Sequence, residues 1–171
     1  IAGPTIQRMR FDCRLAQPMP DSRTPQQTAE AVREAMLAND TVLRTLGIEV
    51  GAVGPGRATV VMRVRADMLN GFAICHGGLV TTLADTAFAY ACNAYDELTV
   101  AAGFSVDLLA PSHEGDVLTA VAVEASKAGR TGLYDIEVRN QRGDRVALFR
   151  GRSYTMKGRP VVGGSPVKRS P

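Results

Sequence analysis

The chain has 171 residues, 45% hydrophobic and 22% charged, which suits one globular domain with a real core. Its formal charge of +3 comes from the ends. Residues 1–23 carry four Arg against two Asp, and residues 157–171 carry four Lys or Arg and no acid, so the stretch between is net acidic and a nucleic-acid-binding core is excluded. Three cysteines, Cys13, Cys75 and Cys92, are odd in number and form no Cys-x-x-Cys pair. This argues against a disulfide scaffold or a structural zinc site and fits a reducing cytoplasm. The longest apolar run, Leu79 to Cys92, is broken by Asp85 and three threonines and is too short to span a bilayer. The first residues show neither a basic start with an apolar block nor a cleavage site, so no secretory signal is expected.

In chain order, residues 1–24 hold three prolines with little periodicity and read as an extension. Thr24-Pro25 offers an N-cap with Pro at the first helical position, predicting a helix to about Ala38. A short helix is predicted from Asp40 to Leu46, closed by Gly47. Ile48–Val53 and Arg57–Arg65 alternate as two strands around Gly54-Pro55-Gly56. The run from Cys75 to Asn93 reads as a helix opened by Gly77 and Gly78. Four strands follow near 99–109, 116–126, 132–141 and 144–156, separated by turn signals. The periodicity defines an α+β domain over 25–157. Residues 158–171, with two adjacent glycines and three prolines, read as a disordered tail.

Within the central helix Asp85 is the anomaly. An ionised acid among Leu83, Ala84, Ala87, Phe88 and Ala89 costs several kcal/mol to bury unless something pairs with it or uses it. Burial also raises its pKa towards the range of a useful base or nucleophile. A structural hydrogen bond to Tyr90 or Thr82 is the alternative. Gly77 and Gly78 leave the first N–H groups of the helix open to a ligand, where the helix dipole favours an oxyanion; a simple turn is the plainer reading. Eight residues along the helix separate Gly77 from Asp85, roughly 12 Å at ~1.5 Å per residue. No single substrate atom touches both, so cooperation between them pairs the glycine end of one helix with the Asp of a second copy. His76 reads more simply as a structural histidine. Cys75 beside it is not read as a nucleophile, because adjacent side chains in an extended loop point apart. His113 falls in a polar turn, and nothing has metal-ligand spacing, so neither metal nor cofactor is expected.

Met68-Leu69-Asn70-Gly71, Cys75-His76-Gly77-Gly78 and Leu83-Ala84-Asp85-Thr86-Ala87-Phe88-Ala89-Tyr90-Ala91-Cys92-Asn93 together resemble the PaaI-type acyl-CoA thioesterases of the hotdog-fold superfamily. Val106 to Pro111, Gly129 to Val138 and Val146 to Gly151 resemble the same family in the same order, and the likeness covers roughly residues 40–157. The resemblance implies a sheet wrapped around a long central helix, and sites shared by two subunits in dimers or dimers of dimers. It implies hydrolysis of acyl-CoA, with phenylacetyl or hydroxyphenylacetyl as the leading acyl class, because the PaaI subgroup is associated with phenylacetate breakdown. Asp85 matches the catalytic acid, as general base or as nucleophile. Gly77 matches the glycine whose N–H polarises the thioester carbonyl, and Asn70 and His76 match pocket-lining positions. Lys127, Gly129, Arg130 and Thr131 sit in the hairpin resembling the CoA-nucleotide contact, with a solvated basic turn as the alternative. Ser105 is a candidate water-holding hydroxyl whose side depends on strand register. A non-catalytic acyl-CoA-binding sensor on the same fold is the other function class, and Asp85 discriminates, since a pure binder has little reason to keep an acid there. A hotdog hydratase would need an Asp and His motif that is not found.

Overall fold

The computed structural model describes residues 23–164, so most of the predicted extension, Cys13 with it, and the last seven residues of the predicted tail lie outside the described residues. Thr24 accepts the Gln27 N–H at 3.2 Å while the Gln27 side chain accepts the Thr24 N–H at 2.9 Å. This capping box, with Pro at the first position, opens α1 (Pro25–Leu37). Asp40 caps α2 (Thr41–Leu46) by accepting the Val42 and Leu43 N–H groups, and Gly47 closes it at φ 65.

Next come β1 (Ile48–Gly54), β2 (Arg57–Arg63), α3 (Gly77–Asn93), β3 (Thr99–Leu108), β4 (Val117–Ala128), β5 (Thr131–Arg139) and β6 (Arg145–Thr155). The six strands form one antiparallel sheet in the order β1-β2-β4-β5-β6-β3. Strand alternation directs Ala58, Val60, Met62, Leu118, Ala120, Ala122, Tyr134, Ile136, Val138 and Phe149 into the core, where α3 buries Leu83, Ala84, Ala87, Phe88 and Ala91. Small residues let the helix lie close to the sheet. A Cβ on Gly151 would sit 2.9 Å from the Phe88 ring, which packs on Tyr134 and Phe149. Burying a side chain of this size is worth about 1.5–3 kcal/mol.

The two sheet edges differ. Along β1, Gln26 Nε2 donates to Val53 O at 2.9 Å and Arg33 Nη1 to Gly51 O at 3.4 Å, so α1 covers that edge. Along β3, ten residues long, Asn93 holds Thr99, and beyond it no backbone group of the outer edge has a partner among the described residues.

Asn93 thereby clamps the end of α3 to β3, its amide donating to Thr99 O at 2.9 Å and accepting the Thr99 N–H at 2.8 Å. Residues 158–164 of the predicted tail lie back on this corner. Leu98 N–H donates to Arg159 O at 2.7 Å, and Asp96 accepts the Val161 and Val162 N–H groups. No helix among the described residues is long and apolar enough to cross a membrane.

Candidate active site

The loop leading into α3 is tied at several points. His76 N–H donates to Met68 O at 2.9 Å and Cys75 N–H to Ser112 O at 2.8 Å. Asn70 Oδ1 accepts the Phe72 N–H at 2.9 Å, and Ala73 takes left-handed backbone at φ 57, a strained conformation for a residue with a Cβ. His76 is the N-cap of α3, and its Nδ1 accepts the Gly78 N–H at 3.2 Å. In this state the proton of a neutral ring is on Nε2. With the cap on Gly78, the Gly77 N–H at the first helical position has no acceptor among the described residues. Glycine leaves room there for the end of β3, because a Cβ would overlap Leu108 Cδ1.

Asp85 lies two turns further along, half-buried, and burial raises its carboxyl above the ordinary carboxylate range. The structural alternatives are not realised. The Thr82 hydroxyl donates to Gly78 O at 2.9 Å, and the buried Tyr90 hydroxyl has no partner among the described residues. Thr81 and Thr86 likewise bond back to Gly77 O and Thr82 O. These three threonine hydroxyls are thus spent on the helix backbone, and the Asp85 carboxylate has no hydrogen-bond partner among the described residues.

A cavity of about 450 Å³ opens at the glycine end, lined by residues that include Asn70, Ile74, Gly77, Val80, Leu108 and Ser112. It brings Asn70 and Gly77 together, with His76 capping the helix beside them; Asp85 does not line it. The Asn70 Oδ1 is occupied by its own loop, and its Nδ2 donates to nothing among the described residues. The predicted CoA-binding residues sit elsewhere. Lys127 Nζ lies 3.5 Å from the centre of the Tyr95 ring, just past the C-terminus of α3. Arg130 donates to Tyr154 Oη at 3.0 Å, Thr131 Oγ1 donates to Ala128 O, and Gly129 turns the hairpin at φ 63. A 17-residue helix is roughly 25 Å long at ~1.5 Å per residue, so hairpin and cavity are at opposite ends of α3.

Ser105 is on the far side of the sheet. It pairs with Arg150, which pairs with Asp135, and these three line a second cavity on the face away from α3. Its neighbour Val106 packs towards the core instead. Cys75 and Cys92 are free and buried, and burial pushes both thiols up, Cys92 to about 12, which removes them as nucleophiles. Leu108 and Ser112, which line the cavity, carried no chemical signal in the sequence; only the Val106-to-Pro111 likeness pointed to that segment.

An antiparallel sheet packed on one long helix, with a free N–H at the helix start and an unpaired acid within it, defines a hotdog-type protein. The thioesterase superfamily pattern matches residues 72–147. The acyl-coenzyme A thioesterase PaaI of Escherichia coli K12 is 48% identical over 124 residues, 72% of this chain and 89% of that protein. The solved structure of the E. coli PaaI protein from the phenylacetic acid degradation operon aligns with TM-score 0.77 at 44% identity, covering 79% of this chain and 98% of that one. A variant of phenylacetic acid degradation protein PaaI from Thermus thermophilus aligns with TM-score 0.65 at 38% identity, covering 67% and 98%. The chain belongs to the PaaI-type acyl-CoA thioesterases of the thioesterase superfamily.

Proposed function

We propose that the protein hydrolyses aryl-acetyl-CoA thioesters, phenylacetyl or hydroxyphenylacetyl, to the free acid and CoA. The observation that carries this is Asp85, a half-buried carboxylate on an apolar helix, with no partner among the described residues, while the Thr81, Thr82 and Thr86 hydroxyls donate to the helix backbone and Tyr90 does not reach it. In its ionised form it supplies the basic oxygen, taking a proton from water as water attacks the carbonyl carbon, or attacking that carbon itself. The Gly77 N–H and the positive end of α3 receive the charge that develops on the carbonyl oxygen. Asn70 and His76 hold the loop and helix start that present this donor. In the water route the C–S bond then breaks and the CoA sulfur takes up the proton that Asp85 received; in the direct route CoA leaves as the thiolate, the water that hydrolyses the Asp85 anhydride supplies the proton, and both routes end in the acid and CoA-SH with Asp85 ionised again. The names of the relatives, which belong to phenylacetic acid degradation, support the acyl class.

Each site is shared between two copies. The spacing of Gly77 and Asp85 along one helix, and the opposite placement of the hairpin carrying Lys127, Gly129, Arg130 and Thr131, are reconciled when a second α3 runs antiparallel beside the first. One copy then offers Gly77 while its partner offers the acid and the basic hairpin for CoA phosphates. The uncovered β3 edge is the surface such a dimer would use. One pair of subunits completes each site, so a dimer of dimers is not required for activity. A cytoplasmic setting fits the free thiols of Cys75 and Cys92.

The test is release of CoA thiol from a panel of aliphatic and aryl-acetyl CoA esters by the parent and by Asp85→Asn. The expected result is turnover highest for the aryl-acetyl esters, and about 10²- to 10⁴-fold lower in the variant with ester binding retained. Tight binding without turnover in both proteins would show a sensor instead.

A further inference from the structure

Ser112 lies in the connection between β3 and β4, only 3% exposed, and its hydroxyl has no hydrogen-bond partner among the described residues. Other buried polar side chains are bonded: Asn93 to the Thr99 backbone, Asp116 to the His113 N–H, Asn140 to Asp144. A buried hydroxyl without a partner gives up its bonds to water for nothing, so a serine here is not explained by the fold of the free protein. The position is fixed nonetheless. Ser112 O accepts the Cys75 N–H at 2.8 Å, and the next N–H, that of His113, is held by Asp116 at 2.9 Å.

The same residue lines the cavity at the start of α3. The Gly77 N–H and the Asn70 Nδ2 belong to residues of that cavity and are also without acceptors among the described residues. Three unused donors, two from the loop and start of α3 and one from the β3–β4 connection, therefore gather around one apolar cavity. The two other unpartnered buried side-chain atoms among the described residues, Tyr90 Oη and Arg33 Nε, belong to residues that do not line it.

We infer that Ser112 is a substrate-binding residue whose hydroxyl donates to a carbonyl oxygen of the bound CoA ester. Because the hydroxyl makes no bond in the free protein, a turn about χ1 towards the ligand breaks none, and the bond formed is a net gain. The carbonyl is that of the thioester or of a pantetheine amide, the two oxygen acceptors that every acyl-CoA carries near its sulfur. This inference rests on the reading of the cavity as an acyl-CoA site.

The experiment compares the parent with Ser112→Ala in three measurements: thermal unfolding, steady-state hydrolysis of phenylacetyl-CoA, and calorimetric binding of the non-hydrolysable thioether analogue of that ester. The expected result is a Tm higher by about 2–4 °C, since an unsatisfied group is removed, together with about tenfold lower kcat/KM. A loss confined to kcat assigns the thioester carbonyl, and a rise in KM with weaker analogue binding assigns the amide. Unchanged kcat/KM and analogue binding overturn the inference, and so does a lower Tm, which would mean the hydroxyl is partnered within the free fold. If the parent binds the ester but does not hydrolyse it, the proposed hydrolysis fails while the affinities of the parent and of Ser112→Ala for the ester itself, which keeps both kinds of carbonyl, still decide on Ser112. If the parent does neither, both fall.

Discussion

At Asp85 stability and the proposed activity oppose each other. Burial raises its folded pKa above the unfolded value, so the stability it contributes is fully present below the unfolded pKa, where it is protonated in both states. That stability is lost as pH rises through the raised folded pKa. Asp85→Asn removes the ionisation. The variant is expected to melt above the parent at neutral pH, with the difference shrinking to nothing below the ordinary carboxylate range of about 4. Melting curves across pH check this, and a variant that melts below the parent at neutral pH would show that the charge is paired. Asp85 was legible in the sequence because a charge stands out in an apolar run. Ser105 and Ser112 were not, because the sequence offers a serine but not the side it faces. Register turns Ser105 to the far face of the sheet, and the packing of a connecting loop, not any local pattern, sets Ser112 beneath the cavity.

At the scale of elements, the approach of α3 to the sheet depends on what is missing from β6. Gly151 faces Phe88, whose ring is buried against Tyr134 and Phe149 and has nowhere to move. Gly151→Ala is therefore expected to destabilise the fold by about 1–3 kcal/mol, the usual cost of overpacking, read from denaturant unfolding of the two proteins. No loss of stability would mean the helix can lift from the sheet freely. Strand and helix limits were readable from Thr24-Pro25, Gly47 and Pro55-Gly56, because caps and turns demand particular residues locally. Strand order was not. That β3 leaves α3 and lands beside β6 rather than β4 depends on contacts far apart in sequence, which no local pattern encodes. The hairpin shows the same limit, since its basic residues were found but their place at the far end of α3 was not.

For the whole molecule, the two edges of the sheet set the terms. α1 closes the β1 edge through Gln26 and Arg33, while beyond Thr99 the outer edge of β3 has no partner among the described residues, with Phe104 and Leu108 exposed, Leu108 at 54%. A sheet edge of this length in a stable protein needs a cover, and a second copy supplies one by symmetry. In the proposed dimer the donor and the acid of each site come from different subunits. Gly77→Pro removes the N–H at the one helical position where proline is well accommodated, its ring requiring only that the exposed Leu108 side chain turn aside, and Asp85→Asn removes the acid. Each homodimer is expected to be inactive or nearly so. The decisive measurement is hydrolysis by the heterodimer of the two variants, co-expressed with different tags and purified through both. One of its two sites then carries neither substitution, and activity is expected to return to about half that of the parent. A heterodimer as inactive as either homodimer would contradict the account, placing both groups in one subunit's site.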